Sequence, residues 1–360
     1  MDKRNKKIDP LVSIIITTYN RSNFLKRALD SAITQTYQNI EIIIVDDASS
    51  DDTNQIIKEY MSKDKRIVYL KNPIQSGANV SRNKGIKYAK GRFIAGLDDD
   101  DEFTSNRISL LVNNYDKNFS FITSNNIIVQ DGHFINTEYK EIVSLKDMLY
   151  NNVIGNQGLI EKERLLSVGL YDNKLLACQD YDMWMKLILK YGHIKVINEI
   201  TQIIYLDSSY TRISTNSRKK FLGYFAFYKK YKYLMSEKYR KFHLIRIYDI
   251  KSKNTIACEL AIKLLISKIK SSKIKSFSIF GINSISIEII KFMNNNNIKI
   301  NYLIDSNKFG KKFDTFTITK FEDILNLETN FIICSVSSYD EIKNMILNNI
   351  EEKLLNLIHI

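Results

Sequence analysis

The feature that most constrains this 360-residue chain is a pair of acidic clusters, each directly after a short apolar run. Asp46 and Asp47 follow the run 40–45 (IEIIIV), and Asp98–Asp101 follow the run 93–97 (FIAGL). Apolar, β-branched runs of this length are typical of buried parallel strands. Because parallel α/β sheets bind ligands at the carboxyl ends of their strands, both clusters are predicted to lie at a ligand site.

Strand and helix signals alternate through the first hundred residues. Ser22 is predicted to cap a first helix, and Asp51–Thr53 to begin a second. Repeated β-α units imply an α/β fold with a mainly parallel sheet covered by helices on both faces. The predicted strands are Val12–Thr17, Ile40–Val45, Ile67–Leu70 and Phe93–Leu97, and a third helix is predicted near Ala78–Ala89.

The pattern divides the chain into three segments. Residues 1–215 continue the first domain, and residues 216–272 are helical, basic and aromatic. This second segment fits either an anionic membrane surface or a helix packed on the first domain with a solvated basic face. Residues 273–360 resume a β-α-β pattern with a degraded glycine-rich turn, in which only Gly281 remains and Asp305 could contact ribose. We expect a structural or docking role there rather than a working cofactor site.

Several classes of protein are excluded by what the sequence lacks. The three cysteines are far apart with no CxxC pair, which argues against a disulfide framework and a structural zinc site. No GxxxxGK[ST] loop is present, and no GxGxxG follows the first strand. We find no secretory signal before Leu11 and no apolar run of about 18 residues, so the chain is predicted to be cytoplasmic. The net charge of +13 fits either an anionic partner or a lysine-rich composition without functional meaning.

Four adjacent carboxylates at one strand end repel each other, and a divalent cation would relieve the repulsion. Oxygen ligands without a nearby histidine favour Mg²⁺ or Mn²⁺ over zinc. A cation held by one or two carboxylates usually also binds phosphate oxygens. The sequence therefore predicts a nucleoside diphosphate as the ligand.

Three segments together resemble the GT-A glycosyltransferases of family 2. They are VSIIITTYNR (12–21), IEIIIVDDASSDDT (40–53) and SGANVSRNKGIKYAKGRFIAGLDDDD (76–101), in the order and spacing typical of that family. The resemblance covers roughly residues 11–215. It implies a nucleotide-diphospho-sugar transferase fold there, followed by the basic helical segment and a small Rossmann-like α/β domain.

The resemblance also implies roles for individual residues. Asp47 matches the carboxylate that accepts a hydrogen bond from uracil, and Asp46 could support the loop. Asp98 and Asp100 match the D-x-D motif that binds the metal, Mn²⁺ or Mg²⁺, with the register within Asp98–Asp101 open by one residue. The implied nucleotide-binding residues are Thr18, Tyr19, Asn20, Asp47, Ser76, Gly77, Asn79, Arg82, Asp98 and Asp99.

A later segment, 168–192 (VGLYDNKLLACQDYDMWMKLILKYG), resembles the family's catalytic motif. Asp180 matches the base that deprotonates the acceptor hydroxyl, with Asp182 as the competing candidate. Gln179 stands where glutamate is usual and is assigned, with Asp182 and Trp184, to acceptor binding. Trp184 fits either a sugar platform or a buried helix residue. The stretch 203–216 lacks the histidine that many relatives carry, and Arg212 could contact the diphosphate instead.

We therefore expect a metal-dependent inverting glycosyltransferase that moves a hexose or N-acetylhexosamine from a UDP-sugar to a saccharide acceptor. The resemblance implies an acceptor on a lipid diphosphate carrier, in O-antigen or capsule synthesis. The enzyme is expected to be cytoplasmic, and the basic segment leaves open a peripheral position on the cytoplasmic face of the inner membrane. No nucleic-acid recognition module is found. The alternative is a noncatalytic, nucleotide-binding scaffold of a membrane-associated polysaccharide assembly complex, and a Rossmann-type oxidoreductase ranks third. The transferred sugar and the oligomeric state stay open.

Overall fold

The computed structural model divides the chain into two compact units, Met1–Phe227 and Tyr228–Ile360. The boundaries predicted from the sequence at residues 215 and 272 remain predictions. The residues described are 9–206, 217–251, 265–272, 274–282, 284–305, 308, 310–313, 315–320, 323, 330–334 and 357–359.

The first unit alternates strands and helices as the sequence predicts. Its strands are β1 Val12–Thr18, β2 Ile40–Asp46, β3 Ile67–Lys71, β4 Phe93–Asp98, β5 Glu102–Phe103, β6 Ile122–Gln130, β7 His133–Asn136, β8 Ile142–Val143, β9 Leu159–Glu161 and β10 Ile194–Leu206. Its helices are α1 Ser22–Ile33, α2 Thr53–Lys63, α3 Ala78–Tyr88, α4 Arg107–Asn113, α5 Leu145–Tyr150, α6 Lys162–Ser167, α7 Gln179–Tyr191 and α8 Ser217–Tyr231, the last of which ends in the second unit.

The first unit is built on one mixed sheet with the strand order β3-β2-β1-β4-β9-β6-β10-β5. Strands β3, β2, β1 and β4 run parallel, and β9 pairs antiparallel with both β4 and β6. Strand β7 pairs antiparallel with β6, and β8 pairs antiparallel with β10. The predicted α/β class with a mainly parallel sheet is confirmed.

Helices cover both faces of the parallel strands, which explains their unbroken apolar character. On one face, Leu25 and Leu29 of α1 belong to the same buried cluster as Ile14 of β1. On the other face α3 lies so close that a Cβ on Gly85 would be 2.8 Å from Ile15 Cγ2 and 3.2 Å from Val45 Cγ2. The small residue in α3 therefore sets how near this helix comes to the sheet.

The start of α1 differs from the prediction. Ser22 is the first helical residue, and Arg21, which precedes it, makes no capping hydrogen bond with its side chain. Instead Asp51 accepts a hydrogen bond from Ser22 N at 3.0 Å, and its other oxygen accepts from Thr53 N and Oγ1 at 3.1 and 2.6 Å. The predicted cap by Ser22 is wrong. Ser22 lies inside the helix, and its free amide donates instead to the Asp51 carboxylate from the loop after β2.

The second unit has its own core and a second parallel sheet. A short 3₁₀ helix spans Lys232–Leu234, residues 265–272 are helical, and the other elements are α9 Glu237–Lys251, β11 Ser276–Phe280, α10 Ser284–Asn295, β12 Lys299–Ile304, β13 Lys312–Phe313, β14 Phe316–Thr317, β15 Phe331–Ile333 and β16 Leu357–His359. The sheet has the strand order β12-β11-β15-β16, and the core includes Phe277, Ile289 and Leu303.

The turn after β11 carries the remaining glycine of the predicted Rossmann-like motif. Gly281 has a φ of +87°, a conformation that glycine adopts without strain. Asp305, after β12, accepts a hydrogen bond from Ile282 N at 2.9 Å. The carboxylate predicted to contact ribose thus closes this turn, and the Rossmann-like assignment stays a prediction.

Within the residues that the structure describes, none of the helices combines the length and the apolar character needed to cross a bilayer.

Candidate active site

The two acidic clusters meet at one edge of the sheet because their strands are parallel neighbours of β1. In the strand register Thr18 stands beside Asp46, and Thr17 stands beside Asp98. All three strands end at the same level, so the loops that follow them converge. The prediction that both clusters lie at the carboxyl ends of parallel strands is confirmed.

The converging loops line a cleft of about 590 Å³. Most of the residues assigned to the site from the sequence line it, namely Thr18, Tyr19, Asp47, Gly77, Arg82, Asp98, Asp99, Asp100, Gln179 and Asp180. Sequence reasoning gave no role in the site to other lining residues, among them Arg21, Ser81, Asn152, Asn156, Cys178, Tyr181, Lys219, Lys220 and Tyr224.

Asp47 is 4% exposed and organises the loop that leads into α3. Its Oδ1 accepts hydrogen bonds from Asn72 Nδ2 at 2.7 Å, Ser76 N at 2.9 Å and Ser81 Oγ at 3.2 Å. Its Oδ2 accepts from Gly77 N at 2.7 Å. The carboxylate therefore shapes this wall of the cleft, whatever further contact it makes to a ligand.

Asp46 is fully buried and supports the neighbouring loop. It accepts hydrogen bonds from Ser49 N at 2.7 Å and from the Tyr69 hydroxyl at 2.8 Å, and Lys71 Nζ lies 3.6 Å from Oδ2. Its contacts agree with the loop-supporting role suggested from the sequence.

The carboxylates after β4 are held by two arginines and two amides. Arg82 donates to Asp98 Oδ1 at 3.1 Å, and Asn156 and Gln157 donate to the same carboxylate at 2.7 and 3.2 Å. Arg21 bridges the next two carboxylates, donating to Asp99 Oδ1 at 3.0 Å and to Asp100 Oδ2 at 2.6 Å. These contacts bring positive charge directly onto the cluster.

Burial and the charge of the ion-pair partner act in opposite directions on the pKa values of Asp99 and Arg21. Removal from water raises the pKa of Asp99 to about 7, although Arg21 acts in the opposite direction. Burial opposes the charge on Arg21, but the aspartates raise the pKa of its guanidinium above the ordinary value. A proton on Asp99 is thus one way in which the cluster lowers its own repulsion near neutral pH.

Asp180 lies in the first turn of α7, which follows Cys178 in a left-handed conformation with φ of 60°. Its side chain is half-buried, and its Oδ1 is buried and accepts no hydrogen bond from any residue that the structure describes. Burial raises the pKa of Asp180 to about 6, while the nearby Arg82 counteracts this and Asp98 adds to it. A carboxylate of this kind is ionised at neutral pH and can accept a proton.

Comparison with known proteins decides the family. The model for glycosyl transferase family 2 matches residues 13–179. A putative colanic acid biosynthesis glycosyl transferase of Escherichia coli K12, WcaA, is 35% identical over 256 residues, covering 69% of this chain and 90% of that protein. This chain belongs to glycosyltransferase family 2.

A second relative is named UDP-Glc:alpha-D-GlcNAc-diphosphoundecaprenol beta-1,3-glucosyltransferase WfaP, from Escherichia coli. It is 34% identical over 184 residues, covering 50% of this chain and 71% of that protein. Its name states an acceptor sugar carried on a lipid diphosphate.

Two solved structures share the fold of this glycosyltransferase. Residues 1–349 of S. aureus TarS in complex with UDP-GlcNAc give a TM-score of 0.53 at 16% identity, covering 80% of this chain and 88% of that chain. Mannosyltransferase PcManGT from Pyrobaculum calidifontis in complex with GDP-Man and Mn²⁺ gives 0.51 at 11% identity, covering 81% and 84%. At these identities the likeness establishes the GT-A fold alone.

Some residues assigned to the nucleotide do not line the cleft of this glycosyltransferase. Asn20 binds the loop after β2, accepting from Ser50 N at 2.8 Å. Ser76 donates its amide to Asp47 and its hydroxyl to Ile74 O at 2.9 Å. Asn79 donates to Asp172 O and Leu175 O at 2.7 and 3.1 Å, and so joins α3 to the segment before α7. These side chains bind neighbouring loops and segments, so they support the cleft without lining it.

Two of the three residues assigned to acceptor binding, Trp184 and Asp182, are buried and do not line the cleft. Trp184 is 1% exposed, stacks near Phe121 with ring centroids 4.5 Å apart, and donates Nε1 to Gly155 O. Asp182 is also 1% exposed and lies 3.2 Å from Lys186 Nζ. The sugar-platform role of Trp184 and the competing base role of Asp182 are therefore not supported by their positions. Arg212 lies outside the described residues.

We predict that Asp47→Ala destabilises the enzyme and weakens nucleotide binding. The change leaves the buried donors of Asn72 and Ser81 without this acceptor, and each costs on the order of 1–3 kcal/mol of unfolding free energy. Denaturant unfolding and calorimetry with UDP would measure the two effects. Asp52→Ala is the control, because Asp52 is exposed and makes no capping bond. Equal stability of the two variants would contradict the role of Asp47.

Proposed function

We propose that this chain transfers a hexose or N-acetylhexosamine from a UDP-sugar to a saccharide on a lipid diphosphate, with inversion and with help from a divalent metal. The observation that carries the proposal is the placement of Asp180. A carboxylate whose Oδ1 accepts no hydrogen bond within the described residues faces the same cleft as Asp98, Asp99 and Asp100. One cleft thus combines groups suited to a nucleoside diphosphate with a base suited to an acceptor hydroxyl.

The choice of UDP is supported by the names of similar proteins rather than by the fold. The Escherichia coli glucosyltransferase carries UDP-Glc in its name, and TarS is bound to UDP-GlcNAc. The mannosyltransferase with the same fold binds GDP-Man, so the fold itself is compatible with either nucleotide. The relative that is 34% identical weighs more than either structure, and it favours UDP.

Asp98 and Asp100 are the residues that would hold Mn²⁺ or Mg²⁺. Their carboxylate oxygens are ligands that such ions prefer, and they lie on the cleft wall. Among the described residues no three acidic, histidine or cysteine side chains are grouped to hold an ion, so the diphosphate would have to complete the ligand set. The bound ion would supply positive charge to the departing diphosphate. Arg21, on Asp99 and Asp100, supplies positive charge at the same place.

In the proposed reaction Asp180 accepts the proton of the acceptor hydroxyl as that oxygen attacks the anomeric carbon. The bond between this carbon and the diphosphate oxygen breaks, the nucleoside diphosphate leaves with the electron pair, and a single displacement inverts the configuration. A base in reach of the hydroxyl typically contributes about 10²–10⁴-fold to the rate. Gln179 is neutral, so it adds no negative charge to disfavour ionisation of Asp180.

Thermal unfolding and calorimetry with UDP, GDP, CMP and NAD, each with and without Mn²⁺, test the donor assignment. A ligand that binds only the folded protein raises its stability, and we expect a UDP-selective increase that Mn²⁺ enhances. Asp100→Ala should remove the effect of Mn²⁺, whereas Lys63→Ala on the exposed surface should not. No response to any nucleotide from folded protein would refute the donor site. Binding without transfer would favour the noncatalytic scaffold.

We predict that Asp180→Asn reduces turnover by at least about 10²-fold while UDP affinity is kept. The amide preserves the shape of the side chain but cannot accept the hydroxyl proton. Steady-state transfer assays and calorimetry on the same preparation separate the two effects. Near-normal turnover would move the base role to another residue.

The rate of transfer should also depend on pH in a defined direction. The base must be ionised, so kcat is expected to fall as pH decreases through the pKa of Asp180 near 6. UDP affinity must be measured over the same range, because the pKa of Asp99 near 7 lies close by. A kcat that stays constant between pH 5 and 8 at saturating substrates would contradict this assignment.

A further inference from the structure

Helix α8 is fixed against the segment that carries Asp180. Gly223 lies so close to this segment that a Cβ in its place would be 2.6 Å from Ala177 O. One turn later, Phe227 stacks on Tyr181 with ring centroids 3.8 Å apart. Glycine destabilises a helix interior relative to alanine, and here it permits direct contact between α8 and the residues just before α7. Both contacts flank Asp180 in sequence.

The first turn of α8 brings positive charge to the lining of the cleft. Arg218, Lys219 and Lys220 occupy this turn, which contains no acidic residue. The N-terminus of a helix also carries partial positive charge, which favours an anion near this turn. Lys219 and Lys220 line the cleft, and Lys219 is exposed. The two lysines stand about one helical turn, roughly 5.4 Å, from the contact at Gly223.

We propose that Lys219 and Lys220 form a subsite for the diphosphate group of the acceptor. The inference rests on the proposed function and specifies how its acceptor is held. Asp180 would activate a hydroxyl of the sugar, and the lysines would bind the diphosphate at the other end of that sugar. Lysine is a common ligand of phosphate because its ammonium group is a compact charge with three donors.

The acceptor, rather than the donor, is favoured by the arrangement of charges in the cleft. The arginines Arg21 and Arg82 lie on the carboxylates after β4, where the donor diphosphate is proposed to bind. The lysines come instead from helix α8, which contacts Ala177 through Gly223 and Tyr181 through Phe227, on either side of Asp180 in the sequence. Each diphosphate would thus have its own cationic side chains.

The exposed face of α8 favours a diphosphate that carries a lipid. Leu222 is 40% exposed and Phe225 is 47% exposed, and they follow the lysines within the next two turns. An apolar pair beside a cationic cluster suits a phosphate group attached to a hydrocarbon chain. An acceptor with a lipid diphosphate directly on the reacting sugar is the substrate class that we assign to this subsite.

The double variant Lys219→Ala/Lys220→Ala tests the subsite, and Lys229→Ala/Lys230→Ala on the same helix is the matched control. The control residues are exposed and do not line the cleft. Two acceptors are compared, a sugar diphosphate lipid and the same sugar on a neutral alkyl group. We expect KM for the diphosphate acceptor to rise about 10- to 100-fold in the cleft variant alone, as expected for lost charged hydrogen bonds. KM for the neutral acceptor and the Kd for UDP should not change.

Each other result would overturn the subsite. A matching loss of UDP affinity would assign the lysines to the donor diphosphate, and an equal rise of KM for both acceptors would show that they do not recognise the diphosphate. If wild-type enzyme binds UDP but transfers no sugar, the proposed function fails while the subsite is still testable. Calorimetry with a short isoprenyl diphosphate, against the isoprenyl alcohol, then decides it. Diphosphate-dependent binding that the cleft variant loses supports the subsite, and its absence in wild type refutes it.

Discussion

The candidate active-site cleft depends on the balance of charge among closely spaced carboxylates. Five of its lining residues are aspartates, from the ends of β2 and β4 and from the start of α7 (Asp47, Asp98, Asp99, Asp100 and Asp180). Out of water, such groups repel strongly unless they are paired, protonated or hydrogen-bonded. All three occur here: Asp47 accepts four hydrogen bonds, the pKa of Asp99 is raised, and Arg21 and Arg82 form ion pairs with Asp99 and Asp98.

Amide side chains join helix α3 to residues 171–175, the segment before α7. Asn83 of α3 donates to Tyr171 O at 2.8 Å and accepts from Tyr171 N at 2.9 Å, and Asn79 binds the next residues of the same segment. Helix α3 follows the loop held by Asp47, and this segment precedes Asp180. Hydrogen bonds from α3 thus fix the segment that leads to Asp180, the proposed base.

The parallel strands and the two acidic clusters could be predicted from the sequence because both follow from local pattern and strand direction. Asp47 and Asp98 lie at or just after the strand ends for that reason, and Thr18, the last residue of β1, lines the cleft with them. Contacts between distant segments could not be predicted: Arg21 reaches the cluster after β4, and Gly223 brings α8 to the cleft. Arg21 directly follows Asn20 in the first motif, which was the available signal. Trp184 shows the converse, since an aromatic residue in a catalytic motif packs in the core.

Arg82 serves two carboxylates at once, bonding to Asp98 and lying in the field of Asp180. A change at any one of these three residues therefore alters the electrostatic environment of the other two. Free-energy changes from substitutions within this trio should not add, because the sites share a partner. Under the proposed roles, activity lost by an Asp98 variant would combine weaker donor binding with a changed pKa of the proposed base, and a double-mutant cycle would separate the two contributions.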